Sequence, residues 1–262
     1  MFRTHSSRSH FFGPAISIAA AGAAFVASLT LAPPHAQAAT CGPPSTDIVT
    51  LGDTNYAPRW ACRQDFINFF WDGYDFDKGD WDDGFGYDAP CDINQPLART
   101  FNGLYALHYS SASPPTHTND FSGTMIHWGG NYAREHIDEL DGRCSNGNAL
   151  ATTWSGPIID NKTELYMLYF NTPVVDRAVT VFHESRHADG WGHNAPNNSC
   201  SQGGSCDTKW SYVGANRYEV SWLWDFYLNA ANVTPAMRAR AKDLGNARLL
   251  GAFQTFPGFL IN

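Results

Sequence analysis

The sequence predicts an α+β domain in which a small mixed sheet leads into one long helix, followed by a helical C-terminal part. Three observations carry that expectation. Glu164-Leu165-Tyr166-Met167-Leu168-Tyr169-Phe170 is a short aromatic and aliphatic run closed by Asn171-Thr172-Pro173, the pattern of a strand and its turn. Thr172-Pro173 then opens a helix, because threonine can cap and proline at the first helical position loses no needed hydrogen bond. Val175, Ala178, Val179 and Phe182 follow at core spacing, towards an end near Gly190. Beyond them lie two further helical stretches, one over 217–231 and one opened by Thr234-Pro235 and reaching about Gly251.

Taken in chain order, residues 1–38 read as a secretory signal peptide. Arg3 and Arg8 precede an uncharged Ala-rich stretch from Ala15 to Ala32, and Ala36-Gln37-Ala38 supplies a small-x-small cleavage pattern. The expected location is therefore secreted or periplasmic, with no membrane span once the signal is removed. Residues 39–262 form the expected single domain. The chain has 17 Lys+Arg and 25 Asp+Glu, net −8; without Arg3 and Arg8 the remainder is 15 − 25 = −10. That sign argues against general nucleic-acid binding through phosphates. All six Cys (41, 62, 91, 144, 200 and 206) follow the signal, as expected of disulfides in an oxidising compartment.

Between Asp65 and Asp92 nine Asp alternate with nine aromatic residues, four Gly and Lys78. Asp75, Asp77, Asp80, Asp82 and Asp83 are hard oxygen donors that suit Ca2+, although no Glu closes a twelve-residue calcium loop. The plainer expectation is a solvated loop whose rings pack on the domain while its carboxylates face water. Residues 97–109 look amphipathic, of either type.

The chemistry is concentrated in His183-Glu184-Ser185-Arg186-His187-Ala188-Asp189-Gly190-Trp191-Gly192-His193. Residues four apart share a helix face, so His183 and His187 present two imidazoles to one point. Glu184 lies beside that face, within reach of a metal-activated water. Gly190 lets the chain leave the helix so that His193 can return as a third nitrogen ligand. From the counts of 10 His, 5 Glu and 23 Gly, chance gives this spacing about 2 × 10⁻⁵ times in a chain of this length, so composition does not produce it. Two other third ligands remain open on spacing alone: Glu219, on the later helix, and Asp189. Tyr212 and Tyr218 are candidate donors to an oxyanion. Arg186 is expected to form a surface ion pair with Asp189.

His183-Glu184-x-x-His187-x-x-Gly190-x-x-His193 resembles the zinc signature of the metzincin metalloendopeptidases, and the alternative with Glu219 is similar to the gluzincin arrangement. The resemblance implies a zincin-like domain with Zn2+ on His183, His187 and His193, and Glu184 as general base. The strand 164–170 would then be the sheet edge that pairs with an extended peptide. Metzincins also carry a methionine turn beneath the zinc. The only later methionine here is Met237, inside a predicted helix, which suits a divergent zincin with its own helical C-terminal part. The expected protein is thus a monomeric secreted zinc endopeptidase acting on a peptide or protein. Two other readings stand beside it: a non-catalytic carbohydrate- or calcium-binding module with a structural His cluster, and a zinc hydrolase of a non-peptide bond.

Overall fold

The computed structural model describes residues 63–262 apart from 82–83, 113–123, 145–148, 157–158, 202–203 and 232. The expected signal peptide, Cys41, Cys62, Asp82 and Asp83 lie outside the described residues. Helices α1 (Gln64–Tyr74), α2 (Lys78–Trp81), α3 (Pro96–Tyr109) and α4 (Met125–His136) come first. Strands β1 (Glu139–Arg143), β2 (Ala151–Gly156) and β3 (Ile159–Tyr166) follow, then the single turn α5 (Met167–Phe170). Helices α6 (Val174–Ala188), α7 (Ala215–Asn229) and α8 (Pro235–Gly251) complete the order, with a 3-10 turn at Trp210–Tyr212 before α7. The expected α+β class and small mixed sheet are present: the strands lie in the order β1-β3-β2, with β1 parallel and β2 antiparallel to β3.

Helix α6 runs through the middle of the core. Val174, Val175, Ala178, Val179, Val181 and Phe182 are all buried, so the helix is enclosed on nearly every side rather than showing one apolar stripe. Phe182 meets Trp128 of α4 at 5.8 Å and Tyr218 of α7 at 5.7 Å between ring centroids, within the range where aromatic pairs attract. Even the arginines of this helix, Arg177 and Arg186, are inside. Arg177 Nε donates to the Arg99 carbonyl at 3.0 Å, and Arg99 Nη1 donates to the Phe170 carbonyl at 3.0 Å. These bonds supply the partners that buried guanidinium groups require. At the surface end, Asp176 takes a bidentate pair from Arg240 of α8 at 2.9 and 2.5 Å.

Several local expectations are corrected. The strand read over 164–170 stops at Tyr166, and Met167–Phe170 turns as α5; the apolar run was long enough for either form. That strand is also the centre of the sheet, leaving β2 at the edge. Thr172 does not cap α6: Pro173 occupies the cap position, and the Thr172 hydroxyl donates back to the Tyr169 carbonyl at 2.7 Å. Thr234 does cap α8, accepting from Met237 N at 3.2 Å. The 97–109 stretch is helical and almost wholly buried. In place of the expected acidic loop, 64–81 forms α1 and α2, with Phe70, Tyr74 and Trp81 in the core. Among the described residues no helix is long and apolar enough to cross a membrane.

The approach of α3 to α4 depends on Gly130, where an added Cβ would lie 2.5 Å from the His108 ring and 2.7 Å from its Cα. His108 cannot swing aside, being buried and hydrogen-bonded to the Tyr74 hydroxyl at 2.8 Å. Gly130→Ala should therefore destabilise the fold by about 1–3 kcal/mol, as overpacking does. Thermal melting checks this, and an unchanged melting temperature would show that the helices separate without cost.

Candidate metal centre

Helix α6 delivers the first two imidazoles and then ends. Asp189 caps it, Gly190 takes φ +86°, and the chain turns back towards the helix. A side chain at position 190 would be strained by that conformation although the space around it is open. Trp191 N donates to the Arg186 carbonyl at 3.1 Å, and Tyr212 Oη donates to the Gly192 carbonyl at 2.7 Å. His193 thereby reaches the face already carrying His183 and His187, and one ligand atom from each of the three lies within 4.8 Å of the others.

What each imidazole does with its second nitrogen sets the character of this cluster. His183 Nδ1 lies 2.9 Å from Glu219 Oε2, His187 Nδ1 lies 2.8 Å from the Trp191 carbonyl, and His193 Nδ1 lies 3.1 Å from Asp207 Oδ1. All three partners are acceptors, so each Nδ1 carries the proton and each Nε2 keeps a lone pair. Asn216 Nδ2 also comes within 3.3 Å of His193 Nδ1, but it has an acceptor of its own in the Ala252 carbonyl at 3.3 Å. The carboxylate is the stronger partner for the imidazole. His183 Nε2 and His187 Nε2 then face one another at 3.1 Å with no hydrogen between them. Two lone pairs at that distance repel unless a cation lies between them. The separation is close to the edge of a tetrahedron with nitrogen bonds of about 2.0–2.1 Å. The residues thus fit a metal ion bound by three imidazoles.

Electrostatics prepare the ligands in the same direction. Burial lowers the pKa of His183, and burial together with neighbouring His183 brings that of His187 down to about 4. Both are therefore neutral at physiological pH, as ligation requires. Burial works against ionisation of Glu219, yet Arg248 and His183 outweigh it and hold the carboxyl at about 2. Arg248 Nε donates to the other oxygen, Glu219 Oε1, at 2.7 Å.

Glu184 is buried beside the triad, and its Oε2 accepts from Thr153 Oγ1 at 2.7 Å. Thr153 Oγ1 in turn lies 2.8 Å from Thr163 Oγ1, so the two β-strands hold this carboxylate in one orientation. Burial raises its pKa, which makes it a stronger base when ionised. A cavity of about 1060 Å³ opens over the cluster. Its wall includes Ala151 and Thr153 of the edge strand β2, Asn197, Ser205 of the Cys200–Cys206 loop, and Arg248.

Four further expectations are corrected here. Glu219 stands behind His183 as its hydrogen-bond acceptor rather than at the focus of the imidazoles. Asp189 faces away, accepting from Tyr132 at 2.8 Å and from Arg186 at 2.5 Å. Arg186 is buried, not superficial, with its guanidinium 4.2 Å from the Tyr218 ring centroid and 4.3 Å from that of Trp191. Neither tyrosine offers an oxyanion donor to the cavity: the hydroxyl hydrogen of Tyr212 is spent on Gly192, and Tyr218 sits in the aromatic core. In the acidic segment, Asp77 and Asp80 join Glu139 within 4.8 Å, but Arg143 pairs with Asp80 at 3.0 Å and Lys162 with Glu139 at 2.9 Å. The neighbours of the triad that sequence reading missed are Thr153, Asp207 and Arg248. None carried a motif, since each comes from a separate stretch of chain. Compared with protein-family models, curated proteins and solved structures, the chain has no match in any of the three.

Two outcomes follow from the imidazole environment. The unfolded chain protonates His187 near its ordinary 6.5, whereas the folded chain does so only near 4. Stability of the metal-free protein is therefore complete above about 6.5 and should decline as pH falls from 6.5 towards 4. Chelator-treated thermal melts across that window should show the decline, and His187→Gln should make it shallower, with the remainder coming from His183 and His108, which burial also holds below 6.5. Asp207 is fully buried and anchored by Asp207 N to the Ala252 carbonyl at 3.0 Å. Asp207→Asn should weaken zinc affinity roughly 10–100-fold in a chelator competition, the usual cost of losing an orienting carboxylate.

Proposed function

We propose that the protein is a zinc-dependent endopeptidase of zincin type, with His183, His187 and His193 as ligands and Glu184 as general base. The observation carrying this reading is the gathering of three imidazoles, each with its Nδ1 tied to an acceptor and so left with a lone pair on Nε2, beside a buried and oriented carboxylate. An all-imidazole set suits zinc, as it does copper, nickel and iron, and three protein ligands suit a catalytic rather than a closed structural site. When bound, the ion supplies Lewis-acid polarisation of the scissile carbonyl and lowers the pKa of water towards neutrality.

The chain's own residues do the rest. Glu184, which lines the cavity, takes a proton from the attacking water, while Thr153 holds its Oε2. The carboxyl then hands that proton to the leaving amine, a cycle its raised pKa favours. β2 pairs with β3 on one side only among the described residues, so its outer backbone groups can align an extended peptide along the cavity wall. Backbone pairing of this kind favours a peptide over a non-peptide substrate.

Two measurements test the reading together. Protein purified without chelator should hold about one zinc per chain, lost in His183→Ala or His187→Ala. Glu184→Gln should keep zinc and the melting temperature while hydrolysis of a denatured protein falls at least about 10²-fold. Absence of zinc would sink the metal assignment, and undiminished hydrolysis by Glu184→Gln would sink the base.

A further inference from the structure

The cavity carries one group that the proposed hydrolysis does not use. Arg248 lines it, with a side chain that is 32% exposed. Of the five N–H donors on a guanidinium, Nε goes to Glu219 Oε1 at 2.7 Å, and among the described residues neither Nη has a hydrogen-bond acceptor. The opposite oxygen of Glu219 lies on His183 Nδ1, so one carboxylate and one imidazole separate Arg248 from the focus of the triad. That span corresponds to one to three residues of extended chain at about 3.3–3.6 Å each.

The surroundings leave these donors waiting for an acceptor from outside. The lining side chains Thr180, Asn197, Ser205 and Asn216 are neutral, and Arg248 is the only lining cation besides the histidines among the described residues. Ser201 Oγ donates to the Leu250 carbonyl at 3.0 Å and holds the disulfide loop against the end of α8, beside Arg248. Glu219 balances the charge of Arg248 but leaves the donors of both Nη atoms uncommitted. The chain as a whole has net charge −8, which disfavours the approach of an anion. Acceptance of an acidic group therefore depends on a local donor, and a planar guanidinium fork matches a carboxylate with two parallel bonds.

We propose that Arg248 binds a substrate carboxylate and so selects peptides that present one within a few residues of the cleaved bond. The carboxylate belongs either to an acidic side chain or to a free C-terminus. This inference rests on the endopeptidase reading for its substrate, and the test separates the two. Quenched fluorescent peptides with Glu or Gln at each position around the cleaved bond, each made with a free or an amidated C-terminus, are compared on the zinc-loaded enzyme. A tenfold or greater rise in kcat/KM is expected for Glu over Gln at one position, or for the free acid over the amide; which of the two appears names the source.

In Arg248→Gln that ratio should collapse to about one, and Arg248→Lys should restore part of it. Zinc content and melting temperature are recorded for both variants. A merely structural Arg248 lowers both peptides of a pair alike and leaves the ratio intact, which overturns the proposal, as does a ratio near one in the unaltered enzyme. Calorimetry of the same peptides on Glu184→Gln reads affinity without turnover. If no peptide is cleaved, the hydrolytic reading fails while the affinity ratio still decides the role of Arg248. Equal affinity for Glu and Gln peptides, with equal affinity for acid and amide forms, overturns it.

Discussion

The site depends first on three hydrogen bonds made at the far side of the imidazoles. An unrestrained histidine can present either nitrogen and either tautomer, and three of them facing one point would ordinarily avoid one another. Here Glu219, the Trp191 carbonyl and Asp207 each claim a proton at Nδ1, and the three Nε2 lone pairs are left to converge. Without those acceptors the cluster would be three rings in loose proximity. With them it is a pre-arranged set of donors, repulsive when empty, which is the arrangement that gains most from a cation.

The fold serves these three bonds by different means. The carbonyl of Trp191 is set by the glycine turn that ends α6, a purely local device. Glu219 is carried by a helix packed on α6 and neutralised by Arg248 from the next helix. Asp207 is fixed by backbone pairing with 252–254, through its own N–H and the Gln254 N–H to its carbonyl at 2.9 Å. The sheet plays a separate part. Thr153 and Thr163 lie on paired strands and hold Glu184, so that carboxylate is oriented by β-structure while the imidazoles are oriented by helices and loops.

What could be read from sequence follows the range of the interactions. The helix spacing of His183 and His187, the glycine that releases the chain at 190 and the Thr234-Pro235 start of α8 are local matters, and all were legible. The single turn at Met167–Phe170 was not, because Leu, Tyr and Phe in a short run satisfy a strand and a buried helical turn equally well. The 64–81 stretch misled for a related reason: its many Asp residues suggested a solvated loop, while its rings, spaced for a helix, determined the outcome. Arg186 looked superficial because arginine usually is, and only the neighbouring rings of Trp191 and Tyr218 explain its burial. Partnerships such as Glu219 with Arg248 and His193 with Asp207 join distant segments and leave no periodic trace.

The separation of those partners along the chain bears on the order in which the protein matures. Glu219 lies 36 residues beyond His183, and Arg248 a further 29. The helix carrying both early histidines can form from its own sequence, but closing the two longer loops costs entropy that only the packed core repays. A partly folded chain can thus display the motif with its imidazoles still free to rotate and to protonate near 6.5. The acceptors behind the three imidazoles are all in place only when the last helices dock, so a partly folded chain carries the motif without the arrangement that suits a cation.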